Sequence, residues 1–149
     1  SIPKEEDWGE WKSDLDKSSA HERFAGRKFD DFLDEYRDNS IEMADELRFM
    51  PAVPFQYYIF SFAHYIQSDL SENDADGASC YLLLIEEKLK NEPETILSVI
   101  GELISSVRYV ASNQSYYDAD IDIYGDFRKK YRNIIELEKM HHKSAARLK

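Results

Sequence analysis

Residues 54–70, PFQYYIFSFAHYIQSDL, decide the fold of this chain. Most of the stretch is aromatic or aliphatic: Phe55, Tyr57, Tyr58, Ile59, Phe60, Phe62, Ala63, Tyr65 and Ile66. Pro54 suits the first turn of a helix, where its missing N–H would lack a partner in any case. A helix that is apolar on nearly all sides is buried in a domain or crosses a membrane. Since a span needs about 20 apolar residues, the stretch predicts a central helix in which the rings of Phe60 and Phe62 are buried.

The flanking sequence predicts further helices that pack around this one. Pro51 and Pro54 end the preceding helix, which Asn39 or Ser40 caps at its start. Apolar residues at helical spacing predict the other helices, over residues 29–36, 78–90, 93–112 and 124–141.

Length and composition predict a single all-α domain of about six to seven helices, spanning residues 1–149. The scarcity of glycine (5) and proline (4) disfavours a turn-rich β-sandwich. The aspartates of residues 113–125 alternate with apolar residues as in a strand, but a lone strand is unstable, so we expect a loop that leads into the last helix. We expect segment 1–17 at the periphery and the basic tail, 142–149, to fray.

Charge is distributed unevenly along the chain. The net charge is −11, but residues 126–149 carry eight basic against three acidic side chains, so residues 1–125 carry −16. An acidic surface repels nucleic acid and anionic membranes, because phosphate binding rests on cations. It favours a basic protein partner and speeds the encounter with it.

The sequence also bears on the compartment. The single cysteine, Cys80, cannot form a disulfide within these residues and fits a reducing compartment. No apolar run resembles a signal peptide or a membrane span. We therefore expect a cytoplasmic protein, although the chain starts at Ser1 rather than at methionine and leaves open whether a leader preceded it.

Known catalytic and metal-binding motifs are missing from the sequence. It contains no HExxH, GxSxG, P-loop or GxGxxG pattern. The aspartates of residues 118–122 resemble a calcium loop in spacing, but the positions that need Gly and Glu hold Ile123 and Lys129. We therefore expect no cofactor, metal or catalytic site, and we interpret these aspartates as helix-capping residues.

One histidine supports an alternative function. His64 lies in the predicted central helix, and we expect it to be a core histidine with its hydrogen bonds satisfied. If it is instead functional, the protein is a small helical enzyme whose polar centre is His64 with Tyr58 or the aspartates of residues 118–122. A second alternative is a structural or oligomerisation subunit.

The function that the sequence favours is a non-enzymatic, acidic binding protein that masks a basic protein partner. The most concrete form is an immunity or antitoxin protein that neutralises a small toxin, for example one that degrades nucleic acid. Exposed tryptophans in an acidic segment are typical of binding hot spots, although Trp8 and Trp11 could instead cap the core from outside. The residues that we expect to contact the partner are Trp8, Trp11, Asp30, Asp31, Asp34, Glu35 and Asp38.

Overall fold

Helices make up all the regular secondary structure of residues 1–148, the part of the chain that the computed structural model describes. The α-helices are α1 (Leu15–Phe24), α2 (Leu33–Arg48), α3 (Ala52–Ile66), α4 (Ala75–Asn91), α5 (Pro93–Ile96), α6 (Ile100–Ala111), α7 (Ile121–Tyr124) and α8 (Phe127–Leu148). Two short 3-10 helices, Glu5–Trp8 and Asp69–Ser71, complete the set. The all-α prediction is confirmed, and six of these helices have ten residues or more.

Helix α3 corresponds to the predicted apolar helix. It packs against α2, α4, α5 and α6. Its fully buried side chains are Phe55, Tyr58, Ile59, Phe62, Tyr65 and Ile66. Pro54 occupies its third position rather than its first, because Pro51 already provides the extended residue before the helix. No helix in residues 1–148 combines the length and the apolar character that crossing a membrane requires.

One face of α3 lies at the surface, and this corrects two predictions. Val53 is 47% exposed, and Tyr57 and Phe60 on the same side are half-buried. The prediction that the Phe60 ring is buried is therefore wrong. His64 continues this face and is exposed, so the prediction of a core histidine is wrong. The apolar character of the stretch on nearly all sides gave no indication of which side faces solvent.

Helix α2 combines two of the predicted helices. Its backbone kinks at Asn39 (φ −147°, ψ 51°), which is the predicted boundary. The helix begins at Leu33 and not at Phe29, because a turn precedes it. The guanidinium of Arg27 donates to the carbonyl of Asp31 at 2.7 Å, and the Phe29 amide donates to the Tyr57 hydroxyl at 3.1 Å. These contacts hold the turn in a non-helical conformation.

The bounds of the later helices also differ from those that the spacing of apolar residues predicts. Asp74 caps α4 by accepting from the Gly77 amide at 2.9 Å, so α4 starts three residues before the predicted position. Residues 93–112 are not one helix, because turns at 97–99 separate α5 from α6. Helix α8 continues past His141 to Leu148 within the predicted tail, and Lys149 lies outside the described residues.

The two phenylalanines of α3 should differ in their effect on stability. Phe62 is fully buried between Tyr36 and Tyr81, with ring centroids at 4.9 and 5.0 Å. Phe62→Ala should therefore lower the free energy of unfolding by about 3–5 kcal/mol. Phe60→Ala should cost about half of this or less, because the Phe60 ring already contacts solvent. Urea unfolding of both variants measures the difference, and equal losses would contradict the surface position of Phe60.

Candidate functional site

The N-terminal tryptophans do not form the exposed pair that a binding hot spot requires. Trp8 is only 3% exposed and packs against Tyr58, with ring centroids 6.0 Å apart. It therefore anchors segment 1–17 to the core, and the prediction that it faces a partner is wrong. Trp11 is half-buried, and its role in binding stays a prediction.

Both tryptophans enclose His21, which the sequence gave no reason to single out. The Trp11 ring stacks on the imidazole at 3.7 Å between centroids, and the Trp8 ring meets it edge-on at 5.2 Å. His21 Nε2 lies 2.8 Å from Glu5 Oε2, and the Trp11 indole N–H donates to Glu5 Oε1 at 3.1 Å. The hydrogen bond with His21 lowers the pKa of Glu5. The cluster fastens the N-terminal segment to α1.

The predicted acidic surface of residues 30–38 is largely neutralised by arginines. Arg27 bonds Glu35 at 2.5 Å and Asp31 at 3.3 Å, and Arg37 lies 3.8 Å from Asp38. Residues 23–38 contain five acidic and four basic side chains, a net charge of only −1. The hydrogen bond from Arg27 also lowers the pKa of Glu35.

A second arginine extends this network between α1 and α2. Arg23 donates to Glu46 at 2.5 Å and to Glu42 at 3.1 Å, and it lies 3.4 Å from Glu35. The Glu46 side chain is only 8% exposed, and burial raises its pKa. These groups line a cleft of about 430 Å³, but its carboxylates already accept hydrogen bonds from the two arginines. The network holds α1 against α2, and its members were too far apart in sequence to be predicted.

The polar centre of the enzyme alternative is not assembled around His64. The His64 imidazole is at the surface. The Phe29 ring meets it edge-on, with the two ring centroids 6.3 Å apart. The Tyr58 hydroxyl points into the core, 2.7 Å from the carbonyl oxygens of Phe24 and Arg27. Asp120 instead caps α7, where it accepts from the Asp122 amide at 2.8 Å.

Two acidic segments that are distant in sequence adjoin at one end of the molecule. They are residues 68–77, which follow α3 and include the first turn of α4, and residues 112–126, between α6 and α8. The Asn73 amide donates to the Tyr116 carbonyl at 3.0 Å, and the Tyr124 hydroxyl donates to Asp76 at 2.8 Å. We call this surface the acidic end face. Its carboxylates are Asp69, Glu72, Asp74, Asp76, Asp118, Asp120, Asp122 and Asp126.

The acidic end face differs from residues 30–38 in its electrostatics. Neither of its segments contains a lysine or arginine, so together they carry −8. Within residues 1–148 none of its carboxylates takes part in an ion pair, and all except the half-buried Asp74 are exposed. Partial burial, together with the charges of Asp69 and Glu72, raises the pKa of Tyr116 in the other segment.

A groove connects the acidic end face to the kink in α2. It has a volume of about 510 Å³, and its lining includes Asp38, which is one of the predicted partner contacts, together with Arg37, Asp45, Asp74 and Asp76. Asp38 is thus the one predicted residue that the structure brings to this face. Within the described residues, no group of three or more His, Cys, Asp or Glu side chains is arranged to hold a metal ion.

Comparisons of the chain with protein-family models, curated proteins and solved structures found no match. The geometry of the site is therefore the basis of the functional argument.

Because Glu35 is paired with Arg27, it should make the free energy of unfolding depend on pH. Its folded pKa is lowered below the unfolded value of 4.5. Its contribution is therefore complete above about pH 4.5 and is lost as the pH falls through the folded pKa. Glu35→Gln should cost about 1 kcal/mol of unfolding free energy at pH 7, and the difference from the unmodified chain should shrink and vanish as the pH falls from 4.5 through the folded pKa.

Urea unfolding across this pH range provides the measurement. Asp30→Asn is the matched control, because Asp30 is exposed and precedes α2, and its curve should follow that of the unmodified chain. A Glu35→Gln difference that is constant from pH 7 to pH 2 would show that the ion pair does not stabilise the fold.

Proposed function

We propose that this protein is a non-enzymatic binding protein that masks a basic protein partner. The most concrete form is an immunity or antitoxin protein that covers the cationic, nucleic-acid-binding site of a small toxin. One observation carries the proposal: the acidic end face concentrates eight carboxylates, and within residues 1–148 none of them is in an ion pair. The unpaired state of these carboxylates also favours the acidic end face over residues 30–38 as the principal contact with the partner.

Unpaired surface carboxylates suit association with a cationic protein. Carboxylates that are already bonded to arginine contribute little field at a distance, because the opposite charges nearly cancel. Those of the acidic end face keep their field, which steers a basic partner and raises its association rate. The groove beside Asp74 and Asp76 gives the surface a concave part and continues to Asp38, which is itself paired with Arg37.

The same charge argues against other partners and bears on location. The acidic end face would repel phosphate groups, so the proposal includes neither direct nucleic-acid binding nor membrane binding through it. Location in the cytoplasm is also part of the proposal, and the single Cys80 supports it. The enzyme alternative requires a polar centre that joins His64 to Tyr58 or to the aspartates of residues 118–122. Within the described residues, the Tyr58 hydroxyl instead bonds carbonyl oxygens in the core and Asp120 caps α7.

Charge reversal on the acidic end face tests the proposal. Glu72→Lys with Asp122→Lys changes one exposed residue in each segment and leaves the capping aspartates in place. Association with the basic partner, first captured from the native source and then purified, should slow by about tenfold or more at low salt. The effect should shrink at 1 M salt, where the Debye length is about 3 Å. Stopped-flow or surface plasmon resonance measures both rates.

Asp30→Lys with Asp34→Lys is the matched control, because both residues are exposed and both double variants change the net charge from −11 to −7. We expect less than a threefold effect on association from this pair, since it lies outside the acidic end face. Equal slowing by both pairs would mean that only net charge matters. Unchanged rates for both, in correctly folded variants, would overturn the proposal.

A further inference from the structure

Two isoleucines on the acidic end face are largely exposed to solvent. Ile121 is 59% exposed and Ile123 is 75% exposed, and both lie on the single turn of α7 beside exposed aspartates. Single exposed apolar residues are common on protein surfaces and by themselves indicate nothing. Ile121 and Ile123 differ from such residues because the turn that carries them, α7, is held in a fixed conformation.

The backbone around α7 is fixed by one side chain. The Gln114 amide N–H group donates to the carbonyl of Ala119 at 2.9 Å and to that of Gly125 at 2.8 Å. Its oxygen accepts from the Phe127 amide at 2.9 Å, at the first residue of α8. A single glutamine therefore closes the segment at both of its ends. The isoleucines are presented on a held turn rather than on a loose loop, so a partner would not have to order them on binding.

The surface beside Ile121 is also shaped to accept a side chain. Ile121 lines a groove of about 460 Å³ together with Ala111 and Ala119. Polar side chains complete the lining of this groove: Ser112, Gln114, Ser115, Asp126 and Arg128. Protein interfaces likewise combine apolar contacts with polar groups.

Charge complementarity identifies the occupant. We propose that Ile121, Ile123 and the adjoining groove bind an aliphatic or aromatic side chain that a basic protein presents between its own lysines and arginines. The inference rests on the proposed function and adds to it the contact that follows the electrostatic encounter. The carboxylates govern how fast the partner arrives, and the apolar contact governs how long it stays.

Two hexapeptides of equal charge test this contact. One has two leucines between two pairs of lysines, and the other has serines in place of the leucines. Each is titrated into the full chain carrying labelled isoleucine δ1 methyl groups, and NMR reports both the affinity and the methyl groups that shift. We expect the leucine peptide to bind about tenfold tighter than the serine peptide, with the largest shifts at Ile121 and Ile123.

Variants of the protein separate the inference from the proposed function. Ile121→Ser with Ile123→Ser should abolish the preference for the leucine peptide and leave serine-peptide binding unchanged. Leu15→Ser is the matched control: Leu15 is 89% exposed and lies between Asp14 and Asp16, but outside the acidic end face, so this variant should keep the preference.

Two outcomes have different meanings. A leucine preference that survives in the double isoleucine variant overturns the inference and leaves the proposed function intact. Serine-peptide binding that is equally strong in the Glu72→Lys, Asp122→Lys variant shows that the acidic end face does not attract cations. This second result overturns the proposed function at this surface, and the inference with it.

Discussion

Five tyrosines are fully buried in this protein, and each hydroxyl must find a hydrogen-bond partner within the structure. A buried hydroxyl without a partner costs about 1–3 kcal/mol. The pairs are Tyr36 with Ser61 (2.6 Å), Tyr58 with the Phe24 carbonyl (2.7 Å), Tyr65 with Asp74 (2.6 Å), Tyr81 with Ser106 (2.5 Å) and Tyr117 with the Ile66 carbonyl (2.6 Å). Four of the five involve α3, so α3 fixes the elements around it in direction as well as in distance. Burial accordingly raises the pKa of Tyr58 to about 12.

The same constraint places the acidic end face. The Tyr65 hydroxyl bonds the side chain of Asp74, which also caps α4, so the first acidic segment is tied to the end of α3. The Tyr117 hydroxyl bonds the Ile66 carbonyl and ties the second segment to the same end. Surface carboxylates that are 40 or more residues apart in sequence therefore adjoin because of hydrogen bonds made in the core.

Local patterns in the sequence predicted the helices well and their long-range contacts poorly. The period of apolar residues located α4 to within three residues, and the capping residues located the kink at Asn39. No local signal could pair Glu5 with His21 or Arg23 with Glu46, because these contacts depend on how the helices pack. The sequence showed the aspartates of residues 118–122, but their position beside residues 68–77 depends on the tyrosine hydrogen bonds.

The two acidic regions of the chain thus use their charge differently. Between α1 and α2, Arg23 and Arg27 pair with carboxylates of α2, and these ion pairs hold the two helices together. On the acidic end face two acidic segments adjoin, and within the described residues their carboxylates have no paired cation. The repulsion between their like charges opposes folding, and the tyrosine hydrogen bonds hold the segments in place. A basic partner that bound only the folded chain would relieve this repulsion and stabilise the fold. Net charge alone therefore does not distinguish the two regions. The distribution of arginines does, because it separates carboxylates that pair within the fold from those that, in the described residues, have no paired cation and that we propose as the binding surface.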